Sequence, residues 1–218
     1  MLKIRVKGPE AQAFFEFIST NCWPKFQPNQ GKHAIFCRDD GSVVGEGVLL
    51  MLAKDDFIFT SVPGVTWAVF QFRHGRKKFN ATLELVSDDW FLYQVQGPNS
   101  IKLMEEVAGE TTRDIPFMGA KKLSIDGRSF LCLRGGIAGE PGFELWGPAS
   151  DGQEIWKAFL RHGQKFGIRQ LGSRAKSTNH VGHAMAIFGR SPCIKLTGGV
   201  GRSRISHARA RFHLSVSW

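Results

Sequence analysis

The sequence predicts an α+β fold, with antiparallel sheets and helices packed on one face, and two recurring patterns carry that prediction. The first is a strand-like run, a Gly-Pro pair and a helix-like run, three times over. Residues 2–6 alternate charged and apolar side chains, Gly8-Pro9 follows, and Phe14, Phe15 and Ile18 then recur at helical spacing. Residues 91–95, Gly97-Pro98 and the set Ile101, Leu103, Met104 and Val107 repeat the order. Residues 143–146, Gly147-Pro148 and the set Ile155, Trp156, Phe159 and Leu160 repeat it again. Proline cannot donate to a strand ladder but is pre-set for the first turn of a helix, so each pair marks a strand-to-helix junction. The junctions are unequally spaced, which excludes a solenoid. The second pattern is a pair of hairpin signals. Asp40-Gly41 separates residues 34–38 from 43–52, and Asp126-Gly127 separates 122–125 from 128–133. Hairpins imply antiparallel sheet, and helices then cover one face.

Composition sets the class. With 42% hydrophobic and 22% charged residues, the chain is an ordinary globular protein, not a disordered one. Residues 1–7 alternate and lack a hydrophobic signal core, and the longest apolar stretch, 47–53, falls far short of the roughly 20 residues a bilayer needs. A soluble, cytoplasmic protein without a membrane partner is expected. Cys22, Cys37, Cys132 and Cys193 are widely separated, as buried reduced thiols would be.

The net charge of +10 is not spread evenly. After Glu154 there is no acidic residue and there are twelve basic ones, so the rest of the chain is close to neutral. From about Gly189 neither helical nor strand periodicity remains. Residues 1–188 therefore read as one body, divisible into subdomains near residue 88, and 189–218 as a basic, poorly ordered tail. Nucleic acid is a partner only if that tail binds it, with steep salt dependence; this reading ranks last because the charge sits on the least patterned segment.

Most local motifs are absent or incomplete. The cluster Gly198, Gly199, Gly201 lacks the Lys-Ser/Thr of a phosphate loop. His180 and His183 could share a helix face but have no evident third ligand, so no metal site is expected. The basic run 73–78 could touch phosphate, and reads more simply as a solvated loop. The informative stretch is 134–145, where Gly135, Gly136, Gly139 and Gly142 precede Phe143, Glu144 and Leu145. Glycines at this density let the backbone approach a ligand closely. Glu144 follows on a strand, with Phe143 and Leu145 facing the other way. Its carboxylate could accept two parallel N–H bonds, or simply face solvent.

This stretch resembles the Arg-x-Gly-x-x-Gly-x-x-Gly-Phe-Glu segment of the glycine-cleavage T-protein superfamily. Further pieces match in order: Ser19-Thr20-Asn21, Gly31-Lys32, residues 40–47, Val95-Gln96-Gly97-Pro98 and residues 166–175. The wording of 139–148 is nearest to the tetrahydrofolate-dependent aryl-methyl-ether O-demethylases of the vanillate and syringate type. The resemblance runs from about Leu2 to Asn179. It implies a folate-binding T-protein-like fold, tetrahydrofolate as cofactor, and an aromatic methyl ether as methyl donor. In that reading Glu144 anchors the pterin, Arg174 holds folate or substrate, Trp67 stacks on a ring, and Gly136 and Ile137 form the wall.

Three departures accompany the resemblance. T-proteins carry an Asn-x-x-Asn-x-x-x-Asp segment, whereas residues 61–68 here contain no carboxylate, which argues against the alternative of aminomethyl transfer. Where O-demethylases tend to have a tyrosine as proton donor, this chain has Lys176, the candidate catalytic residue. The family's N-terminal helical segment and C-terminal barrel are not matched, which suggests a truncated gene or altered reading frame. A non-catalytic folate-binding module is the competing reading. Apolar surface left by missing segments would favour a homo-oligomer.

Overall fold

The structure, a computed structural model, describes residues 1–136, 139–172 and 175. Nine strands and four helices follow one another along them: β1 (Lys3–Lys7), α1 (Ala11–Ile18), β2 (Gln30–Cys37), β3 (Val43–Ala53), β4 (Asp56–Thr60), α2 (Pro63–His74), β5 (Thr82–Leu85), β6 (Trp90–Gln96), α3 (Ser100–Ala108), β7 (Ala120–Ile125), β8 (Arg128–Arg134), β9 (Gly142–Pro148) and α4 (Ala149–Gly163). One sheet has the order β2-β3-β4-β1-β5 and the other β6-β9-β8-β7, with antiparallel pairing throughout. The α+β class and its antiparallel sheets are as the sequence predicts.

All three Gly-Pro pairs lead from a strand into a helix (β1 to α1, β6 to α3, β9 to α4), and both Asp-Gly pairs lie between paired strands. At the β7–β8 turn Asp126 and Gly127 both take positive φ (49° and 77°), the geometry of a two-residue hairpin loop.

Strand alternation sorts the core side chains into three layers. On β4, Phe57 and Phe59 point to the helix side, where they join Phe14 and Phe15 of α1 and Val65 and Ala68 of α2. Each such fully buried phenylalanine contributes about 2–3 kcal/mol of transfer free energy. Ile58, between them, faces the opposite way and meets Leu50, Leu133 and Trp146. Those last two come from β8 and β9, so the two sheets pack on each other through this cluster. On the outer side of the second sheet Phe143, Leu145 and Val95 pack with Leu103 and Met104 of α3 and Ile155 and Phe159 of α4. Helices thus cover one face of each sheet, and the remaining two faces meet.

The sheets also join at one corner. The Gly31 N–H donates to the Met118 carbonyl and the Ala120 N–H to the Asn29 carbonyl, both at 2.7 Å. Beyond that corner, the outer edge of β2 is closed by Asn21. Its amide donates to the His33 carbonyl (2.8 Å), and the Ile35 N–H donates back to its Oδ1 (3.0 Å). An uncovered strand edge invites foreign pairing, and Asn21 occupies it.

The basic run 73–78 is only partly loop. Arg73 and His74 end α2, and the exposed Lys77 lies over the rings of Phe17 and Phe79. No helix among the described residues is long and apolar enough to cross a membrane. Ile137, Arg174, Lys176, His180, His183, Cys193, the 198–201 glycine cluster and the 189–218 segment lie outside the described residues.

Candidate active site on the inter-sheet face

Glu144 lies on β9, directly opposite Gln94 of β6 on one side and Leu133 of β8 on the other. Because Phe143 and Leu145 belong to the outer core, Glu144 points to the inter-sheet face, as does Trp146 two residues on. The same alternation places Leu92, Gln94 and Gln96 of β6 on that face, since Phe91, Tyr93 and Val95 pack on the outer side. An otherwise apolar interface of Leu50, Ile58, Leu133 and Trp146 therefore ends in a polar group formed by Gln94, Gln96 and Glu144.

These polar atoms are shut off from water. The Glu144 Oε2, the Gln94 Nε2 and the Trp146 Nε1 are all buried. Gln94 and Trp146 donate to no acceptor among the described residues. A buried amide left without a partner costs about 1–3 kcal/mol, so an acceptor placed here from beyond the described residues would be held favourably.

The glycine-rich segment forms the rim of this group. The Gly135 N–H donates to the Gly142 carbonyl at 2.9 Å, closing the connection between β8 and β9. Gly136 and Gly142 then lie so close that a Cβ on Gly142 would meet the Gly136 Cα at 3.1 Å, and one on Gly136 would meet the Glu140 carbonyl oxygen at 2.6 Å. Side chains cannot occupy these places, so backbone borders the polar group. The Arg134 that opens the motif acts structurally. Its Nη1 donates to the carbonyls of Arg113 (3.3 Å) and Ile115 (2.7 Å), holding the approach to β7.

Of the residues singled out from sequence, Glu144 and Gly136 come together here. Trp67 stands in another layer. It lies on α2, packs on the helix-side core of the first sheet, and stacks on Phe70 with ring centroids 6.1 Å apart. Arg174, Lys176 and Ile137 fall outside the described residues. Gln94 is the residue the motif reading missed. Its signal was present in the strand itself, where glutamines at 94 and 96 share a face with Leu92.

As a donor set, the face offers a carboxylate that can accept a pair of N–H bonds and, one strand over, an amide N–H awaiting an acceptor. A flat heterocycle whose edge presents two N–H groups beside a carbonyl would satisfy both. The reduced pterin of a folate has such an edge, and the residues present fit it.

Comparison with known proteins shows the family to which the chain belongs. The profile of the GCVT N-terminal domain matches residues 1–191. The chain is 32% identical over 189 residues to a syringate O-demethylase from Sphingobium sp., covering 82% of this chain and 40% of the relative. It is 28% identical over 181 residues to a sesamin methylene transferase from Sinomonas sp. (81% and 38%), and 26% identical over 198 residues to an aminomethyltransferase from Oceanobacillus iheyensis (87% and 53%). Among solved structures, the glycine cleavage system aminomethyltransferase T from Bartonella henselae superposes with a TM-score of 0.70 at 19% identity, over 85% of this chain and 49% of that one. The chain spans about half the length of these relatives, or less. It belongs to the GCVT N-terminal domain family of the glycine-cleavage T-protein superfamily.

Proposed function

We propose that this chain binds tetrahydrofolate on the inter-sheet face and serves the transfer of a methyl group from an aromatic methyl ether. The observation that carries this reading is the pairing of Glu144 with Gln94 across β6 and β9, at the glycine-bordered end of an apolar interface. The Glu144 carboxylate would accept the two N–H groups of the pterin edge, and the Gln94 amide would donate to the adjoining carbonyl. Leu133 and Trp146 would wall off water, which strengthens each of these bonds. Bound tetrahydrofolate would supply the nucleophilic nitrogen that takes the methyl group. The departing phenolate then requires a proton, for which Lys176 is the candidate donor, with Arg174 holding folate or substrate by charge-assisted bonds.

A second reading, a folate-binding module without methyl transfer, draws on one observation: Lys176 stands where the O-demethylase pattern has tyrosine. One experiment separates the readings: incubate the full chain with tetrahydrofolate and a syringate- or vanillate-type ether, and follow phenol release and folate methylation. Product formation supports methyl transfer, and folate binding without product selects the non-catalytic module.

A further inference from the structure

Two residues without glycine's freedom hold left-handed backbone where the sheets join: Asn29 (φ 61°) and Met118 (φ 59°). Asparagine tolerates that conformation, because its short polar side chain bonds locally. Methionine has no such compensation, so Met118 is the strained member of the pair.

The hydrogen bonds around Met118 maintain the strain. Towards β8, its N–H donates to the Arg134 carbonyl (2.8 Å), and the Arg134 N–H donates to the Gly119 carbonyl (2.9 Å). Towards β2, the Met118 carbonyl accepts the Gly31 N–H and the Ala120 N–H donates to the Asn29 carbonyl, both at 2.7 Å. Residues 118–120 are thus paired with both sheets at once, and Gly119 bridges Gln30 in antiparallel register. The half-buried side chain continues the link. A Cβ on Gly31 would meet the Met118 Cε at 3.1 Å, and one on Gly135 would meet its Sδ at 3.6 Å, so the thioether reaches both glycines.

Gly135 connects this junction to Glu144. Its N–H donates to the Gly142 carbonyl (2.9 Å), and Gly142 opens β9, two residues before Glu144. Four backbone bonds and a side-chain wedge therefore fix where the glycine-rich segment stands relative to the first sheet. Strained backbone persists only where its surroundings over-determine it, and it recurs at sites that need pre-organisation.

We propose that Met118 is a positioning residue for the Glu144 face. Its strained turn and its thioether set the separation between the first sheet and the glycine-rich segment that borders that face. The inference rests on the reading of that face as the folate site.

Met118→Ala, Met118→Gly and Met118→Leu, made in the full chain, separate positioning from stability. Glycine relieves the strain that alanine keeps, so Met118→Gly should melt about 3 °C above Met118→Ala. Tetrahydrofolate affinity should run the other way. Calorimetry should find it about tenfold below the parent in Met118→Ala and lower still in Met118→Gly. Met118→Leu refills the wedge and should bind within about twofold of the parent. Amide hydrogen exchange reads the same property without ligand: the Gly31 and Gly135 N–H groups should exchange about tenfold faster in Met118→Gly than in Met118→Ala, although the glycine variant is the more stable. Affinity that follows the melting order, affinity that leucine fails to restore, or equal exchange in the two variants would overturn the proposal. A folded parent that binds no tetrahydrofolate overturns the folate reading instead, and the exchange comparison then decides by itself whether Met118 fixes the segment.

Discussion

Gln94 and Glu144 face each other across the β6–β9 ladder, a donor with no acceptor among the described residues beside a carboxylate, both turned into the space between the sheets. A buried donor such as the Gln94 amide, with no acceptor among the described residues, is unfavourable for stability.

That cost is measurable. Gln94→Leu removes the unpartnered buried amide and keeps the side chain's bulk, so the folded chain should gain about 1 kcal/mol. Tetrahydrofolate affinity should fall about tenfold, because the carbonyl of the ligand would lose its donor. Urea denaturation and calorimetry on the same preparation check the two effects, which must have opposite signs.

The Arg5–Asp56 pair fixes the inter-sheet face of the first sheet. The guanidinium donates twice to the carboxylate, Nε to Oδ1 at 2.8 Å and Nη2 to Oδ2 at 2.6 Å, and Asp56 is buried. Asp56→Ala strands a half-buried cation and should cost about 2 kcal/mol, less than a fully buried pair because Arg5 keeps some contact with water. The Asp56 hydrogen bond raises the Arg5 pKa above its ordinary value, with burial opposing and nearby carboxylates assisting. A base with a raised folded pKa stabilises below its unfolded pKa and loses that contribution only above it. Arg5 should therefore contribute evenly from neutrality to about pH 10, as denaturation at several pH values would reveal.

Cys132 and Cys22 should behave as opposites toward a thiol reagent. Burial pushes the Cys132 thiol far above its ordinary range, whereas Cys22 is exposed. Peptide mass spectrometry after brief alkylation should find Cys22 modified in the native chain, and Cys132 modified only in denaturant. The native thiol keeps its proton where the unfolded one loses it, so this group lowers stability as pH rises above about 8.5. Cys132→Ala should flatten that part of the profile.

Asn21 substitutes for a neighbouring strand. Asn21→Ala removes two hydrogen bonds and should cost about 1–2 kcal/mol. It also bares the edge of β2, so light scattering should register greater self-association than in the parent chain.

Local chemistry explains why much of the fold was legible in the sequence. Proline's fixed φ announces α1, α3 and α4, and the Asp-Gly pairs announce the β2–β3 and β7–β8 turns. Helix α2 was harder to see, because the residues it buries, Gly64, Val65 and Ala68, are few and mostly small, while Phe70 is left exposed. Its Pro63 at the first turn was the available cue. Strand order is not a local property: β1 lies between β4 and β5, and β9 between β6 and β8, through contacts distant along the chain. For the proposed site, the face taken by Glu144 was readable from its strand parity. Gln94 was not, since a glutamine in a strand acquires meaning only when its cross-strand neighbour is known.

The folate site is tested most directly by calorimetric titration of the full chain with tetrahydrofolate, beside Glu144→Ala shown to be folded by its melting transition. Micromolar binding by the parent chain, lost in the variant, is the expected result. No binding by the folded parent, or equal affinity in both, would contradict the assignment of Glu144 and, with it, the inter-sheet face as the folate site.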